Sequence, residues 1–268
     1  MSDALKAIEA KLNRADQSLR TLDRKLKRIE DAEALTIRVK LDFKTGWHTI
    51  SVAGAESLSP DLSVLIGESL YHGRSALEHL IWALVKANHK KPGEEHTFPI
   101  WEKVPSMPGA RDTTDAFIKK TKKKHLKGVP IAAIALIESL QPYNRRDTSR
   151  YTLSVLHDMA RDDRHHAIHG SFVGGRAVSD MESRFRAPRG SHIIAFQTLL
   201  RTGQRVVPGT KIARLRLDRH RRYPQVRVER GIPVFVAFGT GKRRLLVNAF
   251  DEINRRLRGI IEPFAEFL

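Results

Sequence analysis

The stretch LKRIEDAEALTIRVKLDFKTG, residues 26–46, holds the change of apolar period that decides the fold class. Upstream, Leu5, Leu12, Leu19 and Leu26 recur every seven residues, and Ile8, Ala15, Leu22 and Ile29 follow each by three. That two-position seam predicts a helix over about 1–35 whose narrow apolar stripe suits a coiled-coil or helical-hairpin partner. The expectation drawn from it is a homodimer. Downstream the period falls to two: Ile37, Val39, Leu41 and Phe43 alternate with Arg38, Lys40, Asp42 and Lys44. Thr45-Gly46 is a turn signal and His48–Val52 can return, so a small β-hairpin is expected.

Working outward, Ser59-Pro60 opens a helix that runs to about Ala87 and stops before Lys90-Lys91-Pro92-Gly93. Phe98-Pro99-Ile100-Trp101 reads as a packed extended segment. Helices are expected over 115–127, 130–140 and 148–169, the last closed by Gly170 as a C-cap. Strands are expected at 193–200, 211–217, 225–229, 234–238 and 243–247, then a helix over 249–267 that Pro263 kinks or shortens. The fold class is α+β: a helical bundle with an N-terminal heptad helix, a small hairpin, a C-terminal antiparallel β-rich region and a closing helix. The expected divisions are 1–35, 36–183, 184–248 and 249–268.

Composition narrows the function. The chain carries 48 Lys+Arg against 30 Asp+Glu, a net charge of +18, and no cysteine. Thiolate chemistry and a disulfide scaffold are excluded. The charge excess draws phosphate-bearing partners, above all nucleic acid. No apolar run is long enough to span a bilayer, and no secretory signal pattern opens the chain, so the expected address is cytoplasmic, without membrane contact. No dinucleotide or P-loop fingerprint appears, and no cofactor is expected.

The cations gather in clusters: Lys119, Lys120, Lys122, Lys123 and Lys124 in one run, Arg214, Arg216, Arg221, Arg222 and Arg227 in another. Arg214, Arg216 and Arg227 fall at alternating strand positions and could share a sheet face. Aromatic residues are sparse among them, which favours phosphate contact over base stacking.

Two blocks carry candidate chemistry. Arg74-Ser75-Ala76-Leu77-Glu78-His79 and Arg164-His165-His166-Ala167-Ile168-His169-Gly170 both read Arg, four residues, His. This resembles the signature of the HEPN superfamily, helical domains that include metal-independent ribonucleases. The resemblance implies Arg164 with His169, and Arg74 with His79, as catalytic pairs converging on RNA across a dimer or between two copies of the domain. The histidine would move the ribose 2′-hydroxyl proton and the arginine would hold the scissile phosphate. The likeness covers these blocks only. His165 and Ser75 stand where the family commonly has asparagine or another polar residue, and the β region after 184 is foreign to it. The blocks Gly73–Leu80, Phe98-Pro99-Ile100, Gln141-Pro142-Tyr143 and Leu156–His169 also look like a recurrent uncharacterised bacterial and phage protein, a likeness of architecture alone.

Helical spacing places Glu68, His72, Ser75 and His79 on one polar stripe, and Asp158, Asp162, His165 and His169 on another. The second could instead hold a metal ion, with Glu68, His72 and His79 completing a bundle-type centre. His157 and His166 fall off both stripes. A non-enzymatic nucleic-acid-binding or assembly role with structural histidines stands beside the ribonuclease reading, and a metal-binding helical protein is the second alternative.

Overall fold

Both apolar periods become elements in the computed structural model, which describes residues 2–31, 34–166, 168–175, 181–218, 226–228, 232, 234–240 and 243–268. The fold is α+β. Six α-helices are described: α1 Asp3–Asp31, α2 Pro60–Ala87, α3 Thr113–Thr121, α4 Ile131–Ser139, α5 Thr152–His165 and α6 Val247–Ile261. The strands are β1 Leu35–Leu41, β2 Trp47–Ala55, β3 His169–Gly174, β4 Phe185–Arg186, β5 Ile193–Thr198, β6 Lys211–Leu217, β7 Arg227–Val228, β8 Val234–Thr240 and β9 Arg243–Leu246. The chain divides into two compact units. One comprises Met1–Leu22, Ser63–Ile168 and Gly239–Leu268, the other Asp23–Leu62 and His169–Phe238. The expected boundaries at 35, 183 and 248 are not those along which the chain divides. No helix among the described residues is long and apolar enough to cross a membrane.

In the helical unit α2 is the central element. Its apolar face, Ile66, Leu70, Leu77, Leu80, Ile81 and Leu84, is fully buried. Gly73 lets neighbours approach closely, because a Cβ there would stand 3.1 Å from Leu257 of α6 and 3.6 Å from Leu156 of α5. The heptad seam of α1 is core, not a surface: Leu12 and Leu19 are each 1% exposed within a single chain. Polar contacts fix its rotation. Ser18 Oγ donates to Glu68 of α2 at 2.8 Å. Arg258 of α6 spans Glu9, Asn13 and Asp16 at 3.1, 3.0 and 2.8 Å. The seam expected to join two copies is thus filled inside one.

The sheet-bearing unit corrects the placement of the hairpin. β1 and β2 are not an appendage of the helical region. They form half of a four-stranded antiparallel sheet, ordered β1-β2-β6-β5. An isolated two-stranded hairpin is marginal in water, and pairing β2 to β6 buries an apolar face of Ile50, Val52, Ala213, Leu215 and Leu217. β3 is hydrogen-bonded to β8, and β4 pairs with β7.

Candidate nucleic-acid interface

Pairing register assigns the faces of the four-stranded sheet. Arg38 lies opposite Ser51, and Lys40 opposite Thr49. Thr49 lies opposite Arg214, Trp47 opposite Arg216 and Ser51 opposite Lys211. Gln197 lies opposite Arg214 on its other side, and Ala195 opposite Arg216. Directly paired residues point to the same face, so these side chains form one surface, and it is the one turned from the core. Arg38, Lys40, Lys211, Arg216 and Gln197 are exposed and the β2 row is half-exposed.

The surface has one sign of charge. Strands β1, β2, β5 and β6 contain no aspartate or glutamate. Adjacent strands lie ~5 Å apart. The cations of β1 and of β6 therefore make two rails about 10 Å apart, with the uncharged row Trp47, Thr49, Ser51 between them. The Arg214 guanidinium sits 4.5 Å from the Trp47 ring centroid, and its Nε donates to Gln197 Oε1 at 2.6 Å. That double hold orders a long cation which would otherwise lose rotamer freedom on meeting a ligand.

Sequence reading found Arg214 and Arg216 and placed them together, as they are. It grouped Arg227 with them, but β7 belongs to the separate two-stranded sheet. Arg221 and Arg222 lie outside the described residues. Arg38, Lys40 and Trp47 went unrecognised. They are more than 150 positions from Arg214, and only the β2–β6 pairing joins them.

The lysine run splits in use. Lys119 binds the Asp115 carboxylate at 2.9 Å and the Gly109 carbonyl at 2.7 Å. Lys120 lies 5.1 Å from the Trp101 ring centroid. Lys122, Lys123 and Lys124 are exposed where α3 has ended. The helix expected over 115–127 stops at Thr121, whose hydroxyl is buried and donates to the Phe117 carbonyl at 2.8 Å.

The two residues of the second Arg/His block lie on different elements, and those of the first share α2. The helix expected over 148–169 ends at His165, and His166 is extended at φ −143°, ψ 136°. Beyond Met159 and Ala160 the helix has only charged and polar residues to offer, so it has no apolar stripe to continue. Burial resumes at Ile168 and continues at Phe172 and Val173 in β3. Arg164 is thus the penultimate residue of α5, while His169 opens β3 and is exposed. The stripe Asp158, Asp162, His165, His169 does not exist as one helix face. Gly170 is no C-cap: it lies within β3, where a Cβ would come to 3.0 Å from Leu58 and 3.3 Å from Phe238.

Arg74 and His79 share α2 but serve different neighbours. Arg74 Nη2 binds Glu78 and the Phe98 carbonyl, while its Nη1 is buried without a hydrogen-bond partner among the described residues. His79 is held below the usual imidazole range by burial and by Lys11 of α1, and His72 by burial, Lys11 and Arg14. Of that stripe, Glu68 meets α1 through Ser18 and His72 is half-buried, while His79 is exposed. His157, given no role from sequence, lies within the field of Arg74. Burial first, and then Arg74, Arg161 and Arg164, keep its imidazole on the neutral side. Among the described residues no group of three or more His, Asp or Glu side chains is arranged to hold a metal ion.

The chain matches no protein-family model, no curated protein and no solved structure.

Proposed function

We propose that this protein binds nucleic acid, with the exposed face of the β1-β2-β6-β5 sheet as its principal contact surface. The observation that carries the reading is the charge asymmetry of that face: Arg38 and Lys40 on β1 and Lys211, Arg214 and Arg216 on β6 belong to a sheet whose four strands hold no carboxylate. A solvated face on an ordinary domain mixes both signs. Two cationic rails with neutral hydrogen-bonding groups between them fit a phosphate backbone, whose condensed counterions are released on contact. Lys122, Lys123 and Lys124 offer a second basic segment, on the helical unit.

Binding, as opposed to cleavage, is the role the side chains support. An Arg/His ribonuclease centre needs imidazole and guanidinium on one phosphodiester. Here Arg74 Nη2 is engaged with Glu78 and the Phe98 carbonyl, and Arg164 and His169 belong to different elements.

The test is salt-dependent binding. Anisotropy of a labelled 12-nucleotide RNA should show affinity falling linearly in log–log form with KCl. An Arg214→Ala, Arg216→Ala variant should bind more weakly and show a shallower slope, by about one for each phosphate contact removed. Unchanged affinity and slope in that variant would overturn the assignment of this face.

A further inference from the structure

We propose that the strand taken by this face is single-stranded, and that Phe43 at the tip of the β1–β2 hairpin stacks on one of its bases. The inference rests on the nucleic-acid reading above and specifies its substrate class.

Phe43 continues the alternation Ile37, Val39, Leu41, and so should point to the core. It does not. It is 79% exposed, the most exposed large apolar side chain among the described residues. Strand β1 ends at Leu41, and Phe43 sits in the turn, where side-chain direction no longer follows strand period.

The turn is built to hold that ring outward. Asp42 N donates to the Trp47 carbonyl at 2.9 Å, and Gly46 N donates to the Asp42 carbonyl at 2.8 Å. The Asp42 carboxylate accepts the Lys44 N–H at 2.9 Å and the Thr45 hydroxyl at 2.8 Å. Those bonds hold its proton affinity below the usual carboxylate range, the Thr45 hydroxyl first and the Lys44 amide next. Gly46 closes the turn at φ 70°, a left-handed value that favours glycine. An aromatic side chain carried on a turn whose backbone is already hydrogen-bonded needs only its own rotamer ordered when a ligand covers it.

Its surroundings select the ligand. Lys44 is beside it in the chain, and the turn leads directly into Trp47, which pairs with Arg216 and carries the Arg214 guanidinium. A partner must offer a flat π-face for Phe43 and negative charge for the adjoining rails. Nucleobases and phosphates supply both. In a duplex the base faces are already stacked on one another; in a single strand they are free. The neutral row Trp47, Thr49, Ser51 then runs where the sugars and bases of a single strand would lie, between cations placed for its phosphates. An anionic membrane would answer the charge too. Asp42 and Thr45, however, flank the single ring with polar groups, where an inserting surface presents several apolar ones.

The experiment compares a labelled 12-nucleotide single strand, RNA and DNA, with the corresponding 12-base-pair duplex, at two KCl concentrations, for the wild type, Phe43→Ala and Phe43→Trp. The wild type should prefer the single strand. Phe43→Ala should lose about tenfold in single-strand affinity, with duplex affinity and salt slope unchanged, since phenylalanine carries no charge. Phe43→Trp should restore binding. Because the ring is exposed, thermal melting should be the same for all three proteins. Equal single-strand binding by wild type and Phe43→Ala overturns the stacking assignment while the basic face stands. So does a Phe43→Ala loss shared equally with the duplex. A wild type that binds neither ligand at low salt overturns both readings. Sedimentation with phosphatidylserine vesicles that depends on Phe43, in a protein that ignores single strands, replaces the ligand with a membrane.

Discussion

Arg74 and Glu78, one turn apart on α2, hold the two ends of the same residue's main chain. Arg74 Nη2 donates to the Phe98 carbonyl at 2.7 Å, and Glu78 Oε2 accepts the Phe98 N–H at 2.8 Å. The two side chains pair at 2.6 Å and are about a quarter exposed. Gln141 does the same for the next residues: its Nε2 donates to the Pro99 carbonyl at 2.9 Å and its Oε1 accepts the Trp101 N–H at 2.9 Å. A segment without helix or strand bonds thereby has its backbone groups satisfied by side chains, as buried main chain requires. The arginine of the first Arg/His block thus holds main chain through its Nη2.

The clamp sets a stability prediction. Arg74→Ala leaves Glu78 largely desolvated without its cation, which should cost on the order of 3 kcal/mol in urea unfolding. Glu78→Gln should cost less, because an amide oxygen can still accept the Phe98 N–H. The double variant Arg74→Ala, Glu78→Ala should fall short of the sum of the two single alanine changes. Additive losses would mean the pair is not coupled through Phe98.

The same neighbourhood predicts a pH dependence. His157 and His125 are both held below the usual imidazole value, by burial first and then by cations: Arg74 and Arg161 for His157, Lys124 and Arg74 for His125. Unfolded, each titrates near pH ~6.5. As pH falls through that value the unfolded chain takes up protons the folded chain refuses, so stability declines on acidification and is fully present above it. Melting temperature should fall from pH 7.5 to pH 5.5, and His157→Gln should flatten the decline. An unchanged slope in that variant would remove His157 from the account.

How much of this was legible in the sequence depends on the range of the interaction. α2 was readable nearly end to end, because Ser59-Pro60 and Lys90-Lys91-Pro92-Gly93 are local signals, and β6 coincides with its expected bounds. The helix before Gly170 ran too far because a histidine-rich stretch has no period, and Ile168 is as good in a strand as on a helix face. The seam of α1 is narrow, as its spacing says, but it is buried within one chain, and the contacts beside it from Glu9, Asn13 and Asp16 to Arg258 join residues some 240 positions apart. The basic face shows the same limit. Arg214 and Arg216 announce an alternating cationic strand, while Trp47, Arg38 and Lys40 join it only through pairing, which a single sequence does not disclose.

The α1 seam now predicts unfolding where an intermolecular contact would predict dissociation. Leu12 and Leu19 are buried within one chain, so Leu12→Lys with Leu19→Lys places two charges in the core of the helical unit. The variant should lose cooperative thermal unfolding at any protein concentration. A folded variant that sediments at half the wild-type mass would instead restore the seam as an intermolecular contact.

Trp47 and Arg214 should be coupled in binding. The ring orients the guanidinium, and Gln197 fixes its edge, so Trp47→Ala frees a long side chain that must be ordered again on the ligand. Single-strand affinity should fall for Trp47→Ala even if its indole touches no base. A cation–π contact at an exposed site is worth ~0.5–1 kcal/mol. The double variant with Arg214→Ala should therefore bind about two- to fivefold tighter than the product of the single losses predicts. Trp47→Phe keeps a ring under the guanidinium and should retain most of the affinity. Full additivity of Trp47→Ala and Arg214→Ala in anisotropy titrations would show that the stacked pair contributes nothing to binding as a unit, and that each side chain meets the strand on its own.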